Sequence, residues 1–192
     1  MLKSIVFSVL LTGFGFMVSS CSSISKEECQ VGDWTGIGHR DGSQGREQKR
    51  FYSYVEDCGE HGVTPNHDQY KQGYEEGLKV FCTPDNGWSV GRSGRSYNNI
   101  CPPHLAKEFM SQYRKGQKVH QLEVKIRNLQ QDINATDNEI SVQEKALLNK
   151  TNTGADVLLI GAQIDKLRRK KLDQEKEIFK LQQEMQRVEQ GG

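Results

Sequence analysis

Acidic and aromatic side chains in the first half of the chain are its candidates for chemistry. Asp41 lies near Asp33 and several other carboxylates, and a glycoside hydrolase needs two carboxyl groups that flank the scissile bond. Trp34 and Trp88 offer aromatic faces on which sugar rings can stack. The spacing of these residues does not single out a catalytic pair. We therefore expect Asp33 to cap a helix and the aromatic rings to form the core of a small domain.

Two arginines, Arg92 and Arg95, lie three residues apart beside glycines and could contact an anion. Arginines in a glycine-rich loop are usually solvated, and we favour that interpretation. The sequence contains no P-loop, dinucleotide-binding or nucleophile-elbow motif. We therefore predict no catalytic residue, no cofactor and no enzymatic activity.

Residues 1–20 have the pattern of a targeting segment. Lys3 is followed by an apolar run over 5–18 and then by small residues. The run is shorter than the roughly 20 apolar residues that span a bilayer. It therefore indicates a cleaved signal peptide and an exported protein.

The end of this segment, Val18-Ser19-Ser20-Cys21, resembles the lipobox of bacterial lipoproteins, whose cysteine becomes the first residue and carries fatty acids such as palmitate. The resemblance implies that Cys21 is lipidated and anchors the protein to a membrane. Ser22 stands where an aspartate would retain such lipoproteins in the inner membrane, which implies the outer membrane, with the protein facing the periplasm. The alternative is ordinary secretory cleavage, which would leave Cys21 as an unpaired thiol.

Four further cysteines form an even set, which in an exported chain indicates two disulfides with three connectivities to choose from. We predict that Cys82 pairs with Cys101 and Cys29 with Cys58. The first pair brackets a loop that we expect to have little secondary structure, where a crosslink restricts the unfolded chain most. We predict no metal site, because no C-x2-C pair is present and the histidines lack ligand spacing to the cysteines. These histidines are His39, His61 and His67.

Composition divides the chain near residue 116. Glycines and aromatic residues concentrate before it, whereas residues 117–192 contain a single aromatic residue, Phe179. We predict a tether over 21–28, a cysteine- and glycine-rich domain over 29–116 and a coiled coil over 117–190. Beyond the signal peptide, acidic and basic residues balance, which argues against a nucleic-acid partner. A mean hydropathy of −0.73 argues against a second membrane span.

Turn and helix signals indicate a mainly α-helical domain. Gly73 and Gly77 lie on one face of a helix that we predict over 68–81, and aromatic residues precede them at helical spacing. Residues 83–87 have the composition of a turn, and we expect 88–99 to be irregular and glycine-rich. Similar passages of aromatic residues before glycines recur at uneven spacing, which indicates a degenerate motif and not a solenoid repeat.

The spaced residues of this domain resemble a known family. They read C-x3-DW-x3-G-x2-DG-x2-G, then C-x3-G, then Y-x2-G-x3-GL-x3-C, and finally G-x3-G-x2-G-x2-Y-x3-CPP. Over residues 29–116 this pattern is similar to a family of proteobacterial lipoproteins known only as a domain of unknown function. The resemblance implies an exported lipoprotein with a cysteine-stapled domain, and it brings no activity, ligand or catalytic residue.

Beyond residue 117 apolar residues recur every seven residues, as in a coiled coil. Residues 149–154 interrupt this pattern, and Thr153 can cap the helix that follows. We predict an antiparallel hairpin that turns near 150–155. The alternative is one continuous helix that dimerises in parallel. Position a of the heptad is occupied by Val119, Ile126, Ile133, Ile140 and Leu147 in the run before this interruption, and by Val157, Ile164, Lys171, Ile178 and Met185 in the run after it.

These features predict a lipid-anchored envelope protein with a structural or adaptor role. The coiled coil would bind a protein partner or a second copy of the chain. The alternative is a peptidoglycan-binding module or hydrolase that uses the aromatic and acidic residues of the head.

Overall fold

The structure is a computed structural model that describes residues 23–148 and 151–191. The predicted signal peptide and Cys21 lie outside the described residues. Every regular element that the structure describes is a helix, which confirms the predicted fold class. No described helix has an apolar stretch long enough to cross a membrane. The helices are α1 (Lys26–Val31), α2 (Trp34–Ser43), α3 (Arg50–Gly59), α4 (His67–Phe81), α5 (Pro84–Arg92), α6 (Pro103–Leu147) and α7 (Gly154–Gln190).

Helices α2 and α4 form a parallel pair that packs backbone against backbone. Gly73 of α4 faces the carbonyl of Thr35, and Gly77, one turn later, faces that of His39. A Cβ atom on either glycine would overlap these carbonyl oxygens, so only glycine permits this approach. The contact is mutual, because two glycines of α2 meet the α4 backbone in the same way. They are Gly38 and Gly42.

Helices α5 and α6 repeat this arrangement. Gly87 and Gly91 of α5 face the carbonyls of Phe109 and Tyr113, and Gly116 of α6 faces the carbonyl of Trp88. This pairing corrects the prediction of a turn at 83–87 followed by an irregular, glycine-rich stretch, since most of that segment is α5.

Helix α5 begins with residues that are also typical of a turn. The Thr83 side chain accepts a hydrogen bond from the backbone N–H of Asn86, and Pro84 takes the first position of the helix. Thr, Pro, Asp and Asn favour a turn and a helix start alike. Only the packing of Gly87 and Gly91 on α6 decides between the two.

The two helix pairs have equivalent residues throughout, so the head contains a tandem repeat of one unit. Each unit has G-x3-G-x2-G, with two glycines on its first helix and the third just beyond the end of that helix. Tyr-x3-Cys follows, and then an aromatic residue with Tyr four and Gly seven positions later. Equivalent hydrogen bonds run from the Tyr74 hydroxyl to the Arg46 carbonyl (2.6 Å) and from the Tyr113 hydroxyl to the Arg95 carbonyl (3.0 Å). The uneven loops between these motifs conceal the repeat in the sequence.

The disulfides occupy equivalent places in the two units, and the predicted pairing is confirmed. Cys29 is bonded to Cys58, and Cys82 to Cys101, with Cα atoms 5.5 and 5.7 Å apart. In each unit, one cysteine of the disulfide precedes the first of the two parallel helices and the other precedes the second. We had expected little secondary structure between Cys82 and Cys101. That expectation was wrong, because the segment contains α5.

The hairpin consists of α6 beyond Gly116 together with α7, and its two helices are antiparallel. Ion pairs join them along their length, including Lys118 with Glu184 (2.6 Å) and Lys171 with Asp137 (2.7 Å). Helix α7 begins after Thr153, which caps it as predicted. The fold-back excludes the continuous helix that was the alternative.

The seam of the hairpin is apolar near the head and mixed farther out. Its largest buried cluster contains Leu122, Ile126, Ile178 and Leu181. Beyond this cluster, Gln174 places its Oε1 atom in the seam, where no described residue hydrogen-bonds it. This is the region in which the heptad pattern pairs polar with apolar residues.

Two predicted boundaries are not breaks in the structure. Helix α6 runs without interruption through 116 and 117, so the head (α1–α5, with α6 as far as Gly116) and the hairpin share it. The predicted tether over 21–28 is packed on the head from Ser23 onward. The N–H and hydroxyl of Ser23 both donate to Asp57 (2.7 and 2.6 Å), and Ile24 is buried.

Candidate functional site

A buried carboxylate lies at the centre of the first helix pair. Asp41, on α2, is completely buried. Its Oδ2 atom accepts hydrogen bonds from the hydroxyls of Tyr54 (2.7 Å) and Tyr70 (3.1 Å), and its Oδ1 atom accepts one from Arg46 Nη1 (3.1 Å). Helices α2, α3 and α4 each contribute to this cluster. A buried carboxylate is tolerated only with such a set of donors.

The cluster extends outward through Tyr54 to a second arginine. Arg50 Nε donates to the Tyr54 hydroxyl (2.7 Å), and its guanidinium lies 5.6 Å from the centre of that ring. Arg50 Nη2 also donates to the carbonyl of Ser23 (3.3 Å). Two arginines are thus joined to Asp41, Arg46 directly and Arg50 through a tyrosine.

Burial keeps the tyrosines of this cluster protonated. Loss of solvation, followed by the effect of Asp41, raises the pKa of both Tyr54 and Tyr70 above the ordinary value for tyrosine. Their hydroxyls therefore remain donors to Asp41 throughout the neutral pH range. The cluster has a fixed hydrogen-bond direction, from the hydroxyls to the carboxylate.

The two arginines line an open cavity of about 590 Å³ on the surface of the first repeat. Lys49 adds a third cationic group to its wall, and Glu47 supplies one carboxylate. Glu47 is paired with Lys49 (2.5 Å) and accepts a hydrogen bond from Asn98 (2.8 Å). The residues that line the cavity are Gly45, Arg46, Glu47, Lys49, Arg50, Tyr52, Ser53 and Asn98.

Comparison with protein families identifies the head. Residues 33–118 match the family described as "Protein of unknown function (DUF2799)". Over these residues the head is similar to the DUF2799 family. This confirms the resemblance that we derived from the spaced motifs, and the match ends two residues after Gly116. No curated protein and no solved structure matches the chain.

Two of the predicted ligand contacts are buried in the core of the head. Trp34 is only 4% exposed, and Asp41 is enclosed by its tyrosines. In this conformation neither side chain can reach a sugar. Trp88 is half-buried, and Arg92 lies over its ring at 5.9 Å.

The two arginines predicted as an anion contact have different partners in the structure. Arg92 is engaged by Glu123 (2.6 Å) and Glu189 (2.9 Å), whereas Arg95 is exposed and donates from Nε to Ser93 (3.1 Å). The described residues bring no three His, Cys, Asp or Glu side chains together as metal ligands.

Arg46 and Arg50 were not among the residues predicted from the sequence. A signal was present for Arg46, because an arginine follows the third glycine of the G-x3-G-x2-G motif in both repeats of the head.

Proposed function

We propose that this protein is lipid-anchored through Cys21 in the bacterial outer membrane, faces the periplasm, and acts as a structural or adaptor protein through its hairpin. It takes no part in catalysis and binds no nucleic acid. The head holds the chain at the membrane, and the hairpin reaches a partner.

The contacts of the first described residues support anchoring close to the membrane. Ser23 is hydrogen-bonded to Asp57 and Arg50, and only two peptide units separate it from Cys21. Two such units span at most about 7 Å. Acyl chains on Cys21 would therefore hold the head directly against the bilayer, with no long flexible linker.

The observation that carries the adaptor role is the apolar surface at the far end of the hairpin. Leu148 and Leu158 are 81% and 76% exposed, and Val142 and Leu159 are exposed as well. Helix α7 has 37 residues, so it extends about 55 Å. Large exposed apolar side chains near the end of such an arm are typical of an interaction surface.

The anchoring part of this proposal is tested by membrane fractionation. We expect the wild-type protein in the outer-membrane fraction and the Cys21→Ser variant outside it, because a single change removes every acyl chain. Equal fractionation of the two would contradict the anchor.

The adaptor part is tested by photo-crosslinking in cells. A photoreactive residue at Leu158 should give a discrete adduct, either with one partner or with a second copy, that disappears in a Leu159→Gln background. The same probe at Lys176, an exposed residue closer to the head, is the matched control. The adaptor role is refuted if position 158 gives no adduct, or only the pattern seen at position 176.

The absence of catalysis is tested with purified, delipidated protein. We expect no turnover of peptidoglycan, phospholipid or peptide substrates. Reproducible hydrolysis that is lost in an Asp41→Asn variant with unchanged helical content would overturn this part.

A further inference from the structure

The second repeat shows which buried residues the fold requires. The position equivalent to Asp41 is Val90, and the position equivalent to Tyr70 is Phe109. All four side chains are buried. Asp41 and Tyr70 belong to α2 and α4, and Val90 and Phe109 belong to α5 and α6. In both repeats these two helices are parallel and their backbones meet at glycines. The second repeat therefore builds the same helix pair with apolar groups alone.

The buried carboxylate of the first repeat is thus not needed for this packing. Burying a charge is costly, and replacement of a buried ion pair by apolar residues is often neutral or stabilising. Because the second repeat packs with Val90 at this position, the charge of Asp41 in the first repeat indicates a role for the side chains that Asp41 holds in place. Those groups are Arg46, bonded directly, and Arg50, bonded through Tyr54.

The geometry of the two arginines is that of a prepared anion site. Each guanidinium is held from the inside by a buried oxygen, that of Asp41 or of Tyr54, and both line the same open cavity. Such fixation reduces the entropy that is lost when an arginine binds a ligand. In the second repeat the connection after Gly94 is shorter and lacks a counterpart of α3, so it has no equivalent of Arg50.

Two further features give the cavity a positive character. Lys49 lines it and is 76% exposed, so its ammonium group can move toward a ligand. Helix α3 begins beside it without a side-chain cap, and the N-terminal end of a helix carries partial positive charge. Glu47 is the one carboxylate in the wall, and Lys49 is its partner.

We infer that the cavity lined by Arg46, Lys49 and Arg50 binds a phosphate group. Guanidinium groups recognise phosphate through paired hydrogen bonds, and the cavity has room for a phosphate with a small organic substituent. The phosphate belongs either to a soluble ester or to a lipid headgroup. Arg50 also contacts Ser23, so a headgroup beside the N-terminal anchor is within the reach of this site.

The inference is tested with the purified full chain in a neutral detergent, which makes the result independent of Cys21 acylation. Inorganic phosphate is titrated by calorimetry. In a second arm, hydrogen exchange over residues 46–53 is compared in micelles doped with phosphatidylglycerol or with phosphatidylcholine. We expect saturable phosphate binding, or slower exchange with phosphatidylglycerol alone.

Variants distinguish binding at a structured site from nonspecific attraction of an anion to exposed basic side chains. Arg46→Gln and Arg50→Gln should each weaken binding about tenfold, as expected for the loss of a charge-assisted hydrogen bond. Arg46→Lys keeps the charge but loses the planar fork, so it should weaken binding as well. Arg95→Gln, at the equivalent position of the second repeat, should leave binding unchanged. Lys49→Gln removes an exposed side chain without disturbing the core, so it reports on the site even if the arginine variants unfold.

Binding of inorganic phosphate that depends on Arg46, Arg50 and Lys49 identifies a soluble phosphate. Protection by phosphatidylglycerol alone, with the same dependence, identifies a headgroup. The inference is overturned if neither probe acts on the wild-type chain, or if Arg95→Gln weakens binding as much as Lys49→Gln does.

Discussion

Arg92, the last residue of α5, lies 2.9 Å from Glu189, in the last turn of α7. The same guanidinium bonds Glu123 of α6 at 2.6 Å. Arg92 therefore connects α5, α6 and α7. It lies where α5 ends and α7 becomes the helix that packs against α6. This contact closes the hairpin onto the head.

We predict that Glu189→Gln loosens the end of α7 without affecting the head. Both side chains are more than a third exposed, so the pair contributes well under 1 kcal/mol to the free energy of unfolding. The expected result is faster hydrogen exchange over residues 186–191 and an unchanged unfolding midpoint. High salt should raise the exchange rate of the wild type toward that of the variant, because salt screens the attraction between Arg92 and Glu189. Glu177→Gln, on an exposed part of α7, is the control.

The glycine contacts of the first helix pair should resist even the smallest substitution. Gly73→Ala places a methyl group against the carbonyl of Thr35, so the helices must separate. We expect a loss of about 2–3 kcal/mol in the free energy of unfolding. In Gly161→Ala, on α7, the new methyl group meets no atom within 4 Å, so the variant should gain up to about 1 kcal/mol from helix propensity. Urea unfolding measures both, and equal effects would contradict the close approach.

The half-buried Gln174 side chain weakens the seam of the hairpin. Its Oε1 atom has no hydrogen-bond partner among the described residues. Gln174→Leu should raise the free energy of unfolding by about 1 kcal/mol, because it removes an unsatisfied acceptor and buries apolar surface. Thermal unfolding tests this, with Lys176→Leu on the exposed face as control. A lower midpoint for Gln174→Leu would show that this amide is satisfied in solution.

Stability should fall at alkaline pH because buried tyrosines must lose their protons. Burial, followed by the charge of Asp41, raises the pKa of Tyr74 to about 12 and also raises that of Tyr70. Unfolded tyrosines titrate near about 10, so the folded chain holds these protons more tightly. The resulting stability is fully present below pH 10 and is lost as the pH rises toward 12.

Tyrosinate absorbance and helical circular dichroism, followed together, measure this loss. The tyrosines of the cluster should ionise only as helix is lost, and Tyr70→Phe should reduce the steepness of the fall. Ionisation of all six tyrosines near pH 10 with the helices intact would contradict the raised pKa of Tyr70 and Tyr74.

Local signals in the sequence were sufficient for several helix ends and favoured the hairpin. Asp33, Asn66 and Thr153 cap helices through their own side chains, and such caps involve residues only three positions apart. The heptad pattern and its break at 149–154 likewise predicted that α6 and α7 fold back on each other, with a continuous helix as the alternative. The pairing of the four cysteines was also predicted correctly, although one reason for it, a loop without helix between Cys82 and Cys101, was wrong.

Tertiary structure decided what depends on contacts between distant residues. Residues 84–92 are helical because Gly87 and Gly91 pack on α6, and no local signal distinguishes that from a turn. Asp41 could be read as a ligand contact until three helices enclosed it. Arg46 and Arg50 became a candidate site only because Asp41 and Tyr54 hold them at one cavity. Side chains 13 or more positions away from Asp41 in the chain form part of that cluster, and sequence periodicity carries no information about such contacts.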